Sequence, residues 1–238
     1  MLNKEQKIIM IDLSSFNWGW LSGHSKLAKF HKNGMIKEIF EDRMYEKVYS
    51  VKKGDVVLDI GASVGPFTYS ILEKNPQHVY CLEPSDDEFV FLSENLPHQN
   101  VTLINKGISY TNSSIKSDSL FRPNGDGKMK GITFNSLIKK YKIKHIDFLK
   151  TDCEGGEYHI FRDENMDFLL NKVGCIVGEW HLQTKSEKTE FRYFRDKYLS
   201  LFKNVKVFSC DGVNIKWDLY NEHFIKYYNQ VILHISNK

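Results

Sequence analysis

Acidic residues, glycines and one histidine are the side chains of this sequence that could do chemistry. Asp59 stands two residues before Gly61, and Gly65 four residues after it, in Val56-Val57-Leu58-Asp59-Ile60-Gly61-Ala62-Ser63-Val64-Gly65-Pro66-Phe67-Thr68. Glycines so placed let a backbone approach a ligand closely or adopt positive φ. A turn built for a pyrophosphate usually reads G-x-G-x-x-G and sets the anion on a helix N-terminus. Here the spacing differs, and a carboxylate precedes the first glycine. That acid would repel a pyrophosphate but suits a cationic ligand such as S-adenosylmethionine, with its ammonium and sulfonium. Glu83 lies 22 residues after Gly61, closing His78-Val79-Tyr80-Cys81-Leu82-Glu83. An acid at that point can accept both hydroxyls of a ribose.

A second group follows in Asp152-Cys153-Glu154-Gly155-Gly156-Glu157 and in Glu179-Trp180-His181. Were such a sulfonium to give up a methyl group to a hydroxyl, the transfer would be an in-line displacement, with positioning and water exclusion supplying most of the acceleration. A hydroxyl acceptor also needs a base within hydrogen-bond reach. His181 has the unperturbed pKa best suited to that work. Asp152 is the alternative, because carboxylates crowded at one edge raise one another's pKa. Glu154 and Glu179 complete the candidate catalytic set, although Glu154 could equally serve as an acid at the start of the helix beginning near Glu157. A divalent cation is not required; were one bound, Asp152 and Glu179 would be its pair.

The elements that must hold these residues alternate. The run Val56–Ile60 is too short for a helix and reads as a buried parallel strand, and Pro66 opens the helix after it. A helix from Phe67 to Lys74 is followed by a strand ending at Glu83. Next comes a helix capped by Ser85 or Asp86, with Phe89, Leu92 and Leu96 facing inward. Val101–Asn105 is a third strand, after which Gly107-Ile108-Ser109 stands where an adenine rim would be met. Residues 110–131 read as an irregular excursion or edge hairpin. A short helix (Thr133–Tyr141), a strand (Ile146–Asp152), a helix from about Tyr158 to Leu170, a strand (Val173–His181) and a helix (Ser186–Leu201) follow. The strands Val205–Phe208 and Gln230–His234 end the chain. Such alternation implies an α/β fold with a parallel sheet covered on both faces, whose ligands bind outside the carboxyl ends of the strands. That rule gathers Asp59, Glu83, Asp152 and Glu179 on one rim. Residues 1–50 read as a small N-terminal cap on the same globule, with residues 51–238 forming the nucleotide-binding domain.

Composition narrows the function classes. The chain has 238 residues, 41% hydrophobic and 26% charged, as in ordinary globular proteins. A formal charge of +3 and the absence of any basic stripe argue against nucleic acid as partner. Cys81, Cys153, Cys175 and Cys210 form no C-x-x-C pair and read as free thiols of a cytoplasmic protein. Ile8-Ile9-Met10-Ile11 is too short for a membrane span, so the sequons at Asn100 and Asn112 read as accidental.

Taken together, the segments Val57–Gly65, Glu83-Pro84, Ile146–Glu157 and Glu179–His181 resemble the FkbM-type S-adenosylmethionine-dependent methyltransferases, over roughly residues 45–181. The most specific segment is Asp-x-Glu-Gly-x-Glu after an apolar strand. Ser63 departs from the family, where Asn is common. The resemblance implies the class I methyltransferase fold: a doubly wound, mostly parallel, seven-stranded Rossmann-like sheet with the last strand antiparallel. It implies O-methylation of a saccharide or another small hydroxylated acceptor. Asp59, Gly61 and Gly65 would line the methionine end of the donor, Glu83 would hold its ribose, and Asp152 would lie beside the methyl. Ala62, Ser63, Phe67, Thr68, Pro84, Gly107 and Ile108 complete the expected donor site. Two rival readings are a catalytically silent S-adenosylmethionine-binding partner subunit and a nicotinamide-dependent oxidoreductase. The missing G-x-G-x-x-G opposes the second.

Overall fold

The computed structural model describes residues 12–116 and 128–237. The first eleven residues of the expected cap, and residues 117–127 of the expected excursion, lie outside that set.

Ser25 caps α1 (Lys26–Met35) by accepting from the Ala28 amide. The helix runs on into a π turn over Ile36–Glu41, a wide turn that re-aims the side chains it carries. A short 3-10 turn, Met44–Glu46, leads toward β1 (Val56–Ile60). Pro66 then starts α2 (Pro66–Ile71), as its missing N–H allows. The chain continues through β2 (His78–Leu82) and the Ser85-capped α3 (Asp86–Asn95) to β3 (Val101–Ile104). The described part of the excursion belongs to a small separate sheet, in which β4 (Gly107–Ile108), β5 (Ser114–Lys116) and β6 (Lys128–Ile132) lie in the order β4-β6-β5.

After the Thr133-capped α4 (Phe134–Lys140) come β7 (Ile146–Thr151), α5 (Asp163–Lys172) and β8 (Val173–His181). The expected helix from Tyr158 does not form as one piece. A 3-10 turn covers Gly156–His159, and Arg162 is extended at φ −130°, ψ 152° before α5 begins. The Asn165 amide group donates to the Ile160 carbonyl at 2.9 Å, which holds this break in place of helix continuation. A capping box at Thr184 and Glu187 then opens α6 (Lys185–Lys197). The last strands are β9 (Asn204–Phe208) and β10 (Gln230–Ser236).

The main sheet has seven strands in the order β3-β2-β1-β7-β8-β10-β9. The first five are parallel, while β10 is antiparallel to both β8 and β9. This is the doubly wound, mostly parallel sheet implied by the resemblance. Alternation along β1 explains the two covered faces. Leu58 and Ile60 join the core with Phe134, Leu169 and Phe194 from α4, α5 and α6. Val57 points the other way, into a core with Ile71, Leu92 and Ile39. The N-terminal segment therefore packs on the α2–α3 face and not on a separate body. Among the described residues, no helix is long and apolar enough to cross a membrane.

Candidate active site

The carboxyl ends of β1, β2, β7 and β8 meet at one rim, and a small hollow opens there. Glu38, Tyr45, Gly61, Phe67, Lys150 and Asp152 line it, with Ala62 and Ser63 alongside. A second hollow, lined by Val56, His78, Tyr80 and Lys142, lies at the opposite end of the strands, away from all expected site residues.

The glycine turn is shaped by close approach. Gly61 has φ +80°, and a Cβ there would stand 1.7 Å from the carbonyl oxygen of Asp152. The amides of Gly61 and Ala62 both donate to the Leu82 carbonyl, at 3.0 and 2.9 Å. Ser63 takes φ +51°, and its amide donates to Glu83 at 2.9 Å. The other oxygen of Glu83 accepts from the Ser85 amide at 2.8 Å, so the acid that ends β2 clamps the turn after β1. Gly65 has a different reason: a Cβ there would press on Leu92 and Leu96, so this glycine lets α2 and α3 pack closely.

Asp59 lies inside the protein. It is fully buried, accepts from the Thr68 hydroxyl at 2.8 Å and pairs with Lys150 Nζ at 3.2 Å. Lys150 Nζ also donates to the Gly61 carbonyl at 2.8 Å. Burial disfavours the Lys150 charge, yet Asp59 and Asp152 outweigh it and hold the ammonium above its usual range. Asp59 and Thr68 thus stand behind the hollow, and Lys150 is the cation at its wall. The Phe67 ring does line the hollow, stacked on Phe148 with centroids 5.8 Å apart.

His181 ends β8 within a shell of acids. Its Nδ1 lies 3.2 Å from Glu157, and its Nε2 lies 3.1 Å from Glu179 and 3.6 Å from Glu154. Burial opposes its charge, but Glu157, with Glu179 and Asp152, raises its pKa well above the imidazole range. Both ring nitrogens thus face carboxylates. Burial pushes Glu157 up as well, yet His181 and the Cys153 amide reverse this and leave it lowered. The 2.8 Å bond from that amide closes the loop after β7, where Glu154 stands at φ +53°. Glu179 is raised by burial and by Asp152. Asp152, Glu157 and His181 each bring one potential ligand atom within 4.8 Å of the others, a trio that omits the expected Glu179.

Gly107 and Ile108 sit in β4 beside this loop. The Ile108 side chain is buried in the core, and its carbonyl faces His159 Nδ1 at 3.3 Å. Pro84 lies between Glu83 and the capping Ser85.

Three polar residues that line the hollow, Lys150, Tyr45 and Glu38, were not expected from the sequence. Lys150 had a signal: a lysine inside the apolar run Ile146–Thr151 is buried only if it is paired. Tyr45 donates to Asp152 at 2.8 Å across 107 residues of sequence, and nothing local announces it. Glu38 on the π turn is equally silent in the sequence. Burial, with Glu179 and Asp152 nearby, raises its pKa to about 8 against the pull of Tyr45.

Residues 59–208 match a family model described as the methyltransferase FkbM domain. No curated protein matches the chain. Among solved structures, the chain is similar to methyltransferase FkbM from Methylobacillus flagellatus, at 14% identity and TM-score 0.52, over 80% of this chain and 45% of that one. The chain thus spans less than half the length of that protein. It is also similar to precorrin-6y C5,15-methyltransferase from Geobacter metallireducens, at 16% identity and TM-score 0.46, over 79% and 82% of the two chains.

Proposed function

The chain belongs to the FkbM methyltransferase family, and from that premise we propose that it is an S-adenosylmethionine-dependent O-methyltransferase acting on a saccharide or other small hydroxylated acceptor. The observation that carries this reading is the hollow itself. It joins the close-approach turn at Gly61 to Asp152 and is bounded by acids suited to a cationic donor. A pyrophosphate would face the same acids, and the lysine lining the hollow, Lys150, is committed to Asp59 and the Gly61 carbonyl.

When bound, the donor supplies a methyl group activated on a sulfonium. Glu83, oriented by the Ser63 amide, would receive the ribose hydroxyls. Asp152, which lines the hollow, would take the proton of the acceptor hydroxyl, and the donor held there would supply the methyl group. In this reading His181 is not the base, because both of its nitrogens face acids that raise its pKa. Its task is to hold Glu157 and Glu179 in place as their shared cation. A rim that mixes carboxylates with one imidazolium suits hydrogen bonding to a polyhydroxylated acceptor.

Two measurements test this. Incubation with isotopically labelled S-adenosylmethionine and a glycan or metabolite extract should place the label on an oxygen. Label on nitrogen or carbon, or none at all, would count against the reading. With the acceptor so found, Asp152→Asn should lower turnover by about 10²–10⁴-fold while S-adenosylhomocysteine still binds. Undiminished turnover would remove Asp152 from the role of base.

A further inference from the structure

Glu38 has no place in the reaction as described, yet its position is specific. It projects from the π turn at Ile36–Glu41, outside the residues that match the family model, into the hollow shared by Gly61, Phe67 and Asp152. Its Oε1 is buried and has no hydrogen-bond partner among the described residues. An acid so placed, with one oxygen unused, lacks a counter-charge. Its charged and titratable neighbours are Asp152 after β7, Glu179 on β8, Tyr45 on the 3-10 turn and Lys150 on β7. Cys210, after β9, also lies within its field. Of these only Lys150 is a cation, and its ammonium is bound to Asp59 and the Gly61 carbonyl. Asp152 in turn accepts the Tyr45 hydroxyl. The hollow therefore presents acids to its occupant and, among the described residues, a Glu38 oxygen without a hydrogen-bond partner.

We propose that Glu38 is a donor-binding residue whose unpartnered oxygen accepts the ammonium of the donor's amino-acid end. The assignment rests on the donor chemistry proposed above and adds to it a residue from the N-terminal segment. That segment is then a wall of the donor site and not only a cover. Proton release follows from the same geometry. Burial, with Glu179 and Asp152, keeps Glu38 protonated below about pH 8, and an ammonium at Oε1 favours the ionised form. Donor binding near pH 7 then expels close to one proton.

Calorimetric titration of the whole chain and of Glu38→Gln decides the matter. Titrations run near pH 7, in two buffers of different ionisation enthalpy, with S-adenosylmethionine, S-adenosylhomocysteine and 5′-methylthioadenosine. The first two carry the ammonium, and the third lacks the amino-acid end. In the wild type, the first two should release close to one proton and the third none. In Glu38→Gln the release should vanish and both amino-acid-bearing ligands should bind about tenfold or more weakly. Binding of 5′-methylthioadenosine should change by less than about twofold.

Equal weakening of all three ligands would show a merely structural role and overturn the proposal. So would unchanged affinity, absent proton release, or weakening confined to S-adenosylmethionine. Binding of neither donor form to the wild type would instead defeat the methyltransferase reading of the site. The variant should fold. The native carboxyl keeps a proton from about pH 4.5 to about 8 that the unfolded chain has lost, so its ionisation costs stability as pH rises through that window. Glutamine removes that loss, and thermal unfolding of the variant near pH 8 should come no earlier than that of the wild type.

Discussion

Gly61→Ala should cost about 4 kcal/mol or more of folding stability and abolish S-adenosylhomocysteine binding, an effect read by chemical denaturation and calorimetry. The added Cβ would stand 1.7 Å from the Asp152 carbonyl oxygen and 2.7 Å from its carbonyl carbon. Neither atom can retreat easily. The Asp152 amide donates to the Ile60 carbonyl at 3.0 Å, and β1 and β7 are in register to Ile60 and Thr151. Relief would require the two central strands to part, at the point where the donor turn begins. Two other glycines isolate the cause. Gly54 also has positive φ, at +86°, but a Cβ there meets nothing within 4 Å. Gly54→Ala should therefore cost only the conformational strain, about 1–2 kcal/mol. Gly65→Ala would press on Leu92 and Leu96 methyls at 2.9–3.0 Å, which can give way, and should fall between the two. A Gly61→Ala protein as stable as Gly54→Ala would show that the two strands do not constrain each other as described.

Lys150→Met should destabilise the protein by about 3–5 kcal/mol, because it leaves Asp59 charged and buried beside one remaining donor, the Thr68 hydroxyl. Lys150 and Asp59 are both buried, at 4% and 0% exposure, so solvent cannot replace the lost cation. The variant also strips the Gly61 carbonyl of its 2.8 Å bond from Nζ, which should weaken S-adenosylhomocysteine binding. The double variant Asp59→Asn, Lys150→Met removes both charges and should recover most of the lost stability, since a buried pair adds little beyond neutral groups of similar shape. Denaturation of the two single variants and the double variant closes the cycle. If the double variant were no more stable than Lys150→Met, the cost would lie in packing and not in the unpaired acid.

These two results concern residues of very different visibility in the sequence. Gly61 could be read directly, because a glycine after Val56–Ile60 and before Pro66 has few other uses in a strand–turn–helix unit. Its positive φ and its contact with Asp152 agree with that reading. Asp59 was visible too, but its direction was not. The same spacing serves an acid lining a ligand pocket and an acid turned inward to a lysine, and only the buried Lys150 separates the two. Helical periodicity through Tyr158–Leu170 concealed a break at Arg162, because the Asn165 bond that fixes the break depends on where Ile160 is held.

By itself the sequence determined the order of strands and helices, the two-faced sheet and the glycine turn after β1. These follow from short-range sterics, from side-chain alternation and from what a glycine or proline permits at one position. The tertiary structure alone decided which charges meet. It brought Glu38 and Tyr45 to Asp152 and enclosed His181 between Glu157 and Glu179, acids that raise its pKa. Proton affinity depends on burial and on charges that are near in space, whatever their distance along the chain. Neither exists until the chain has folded.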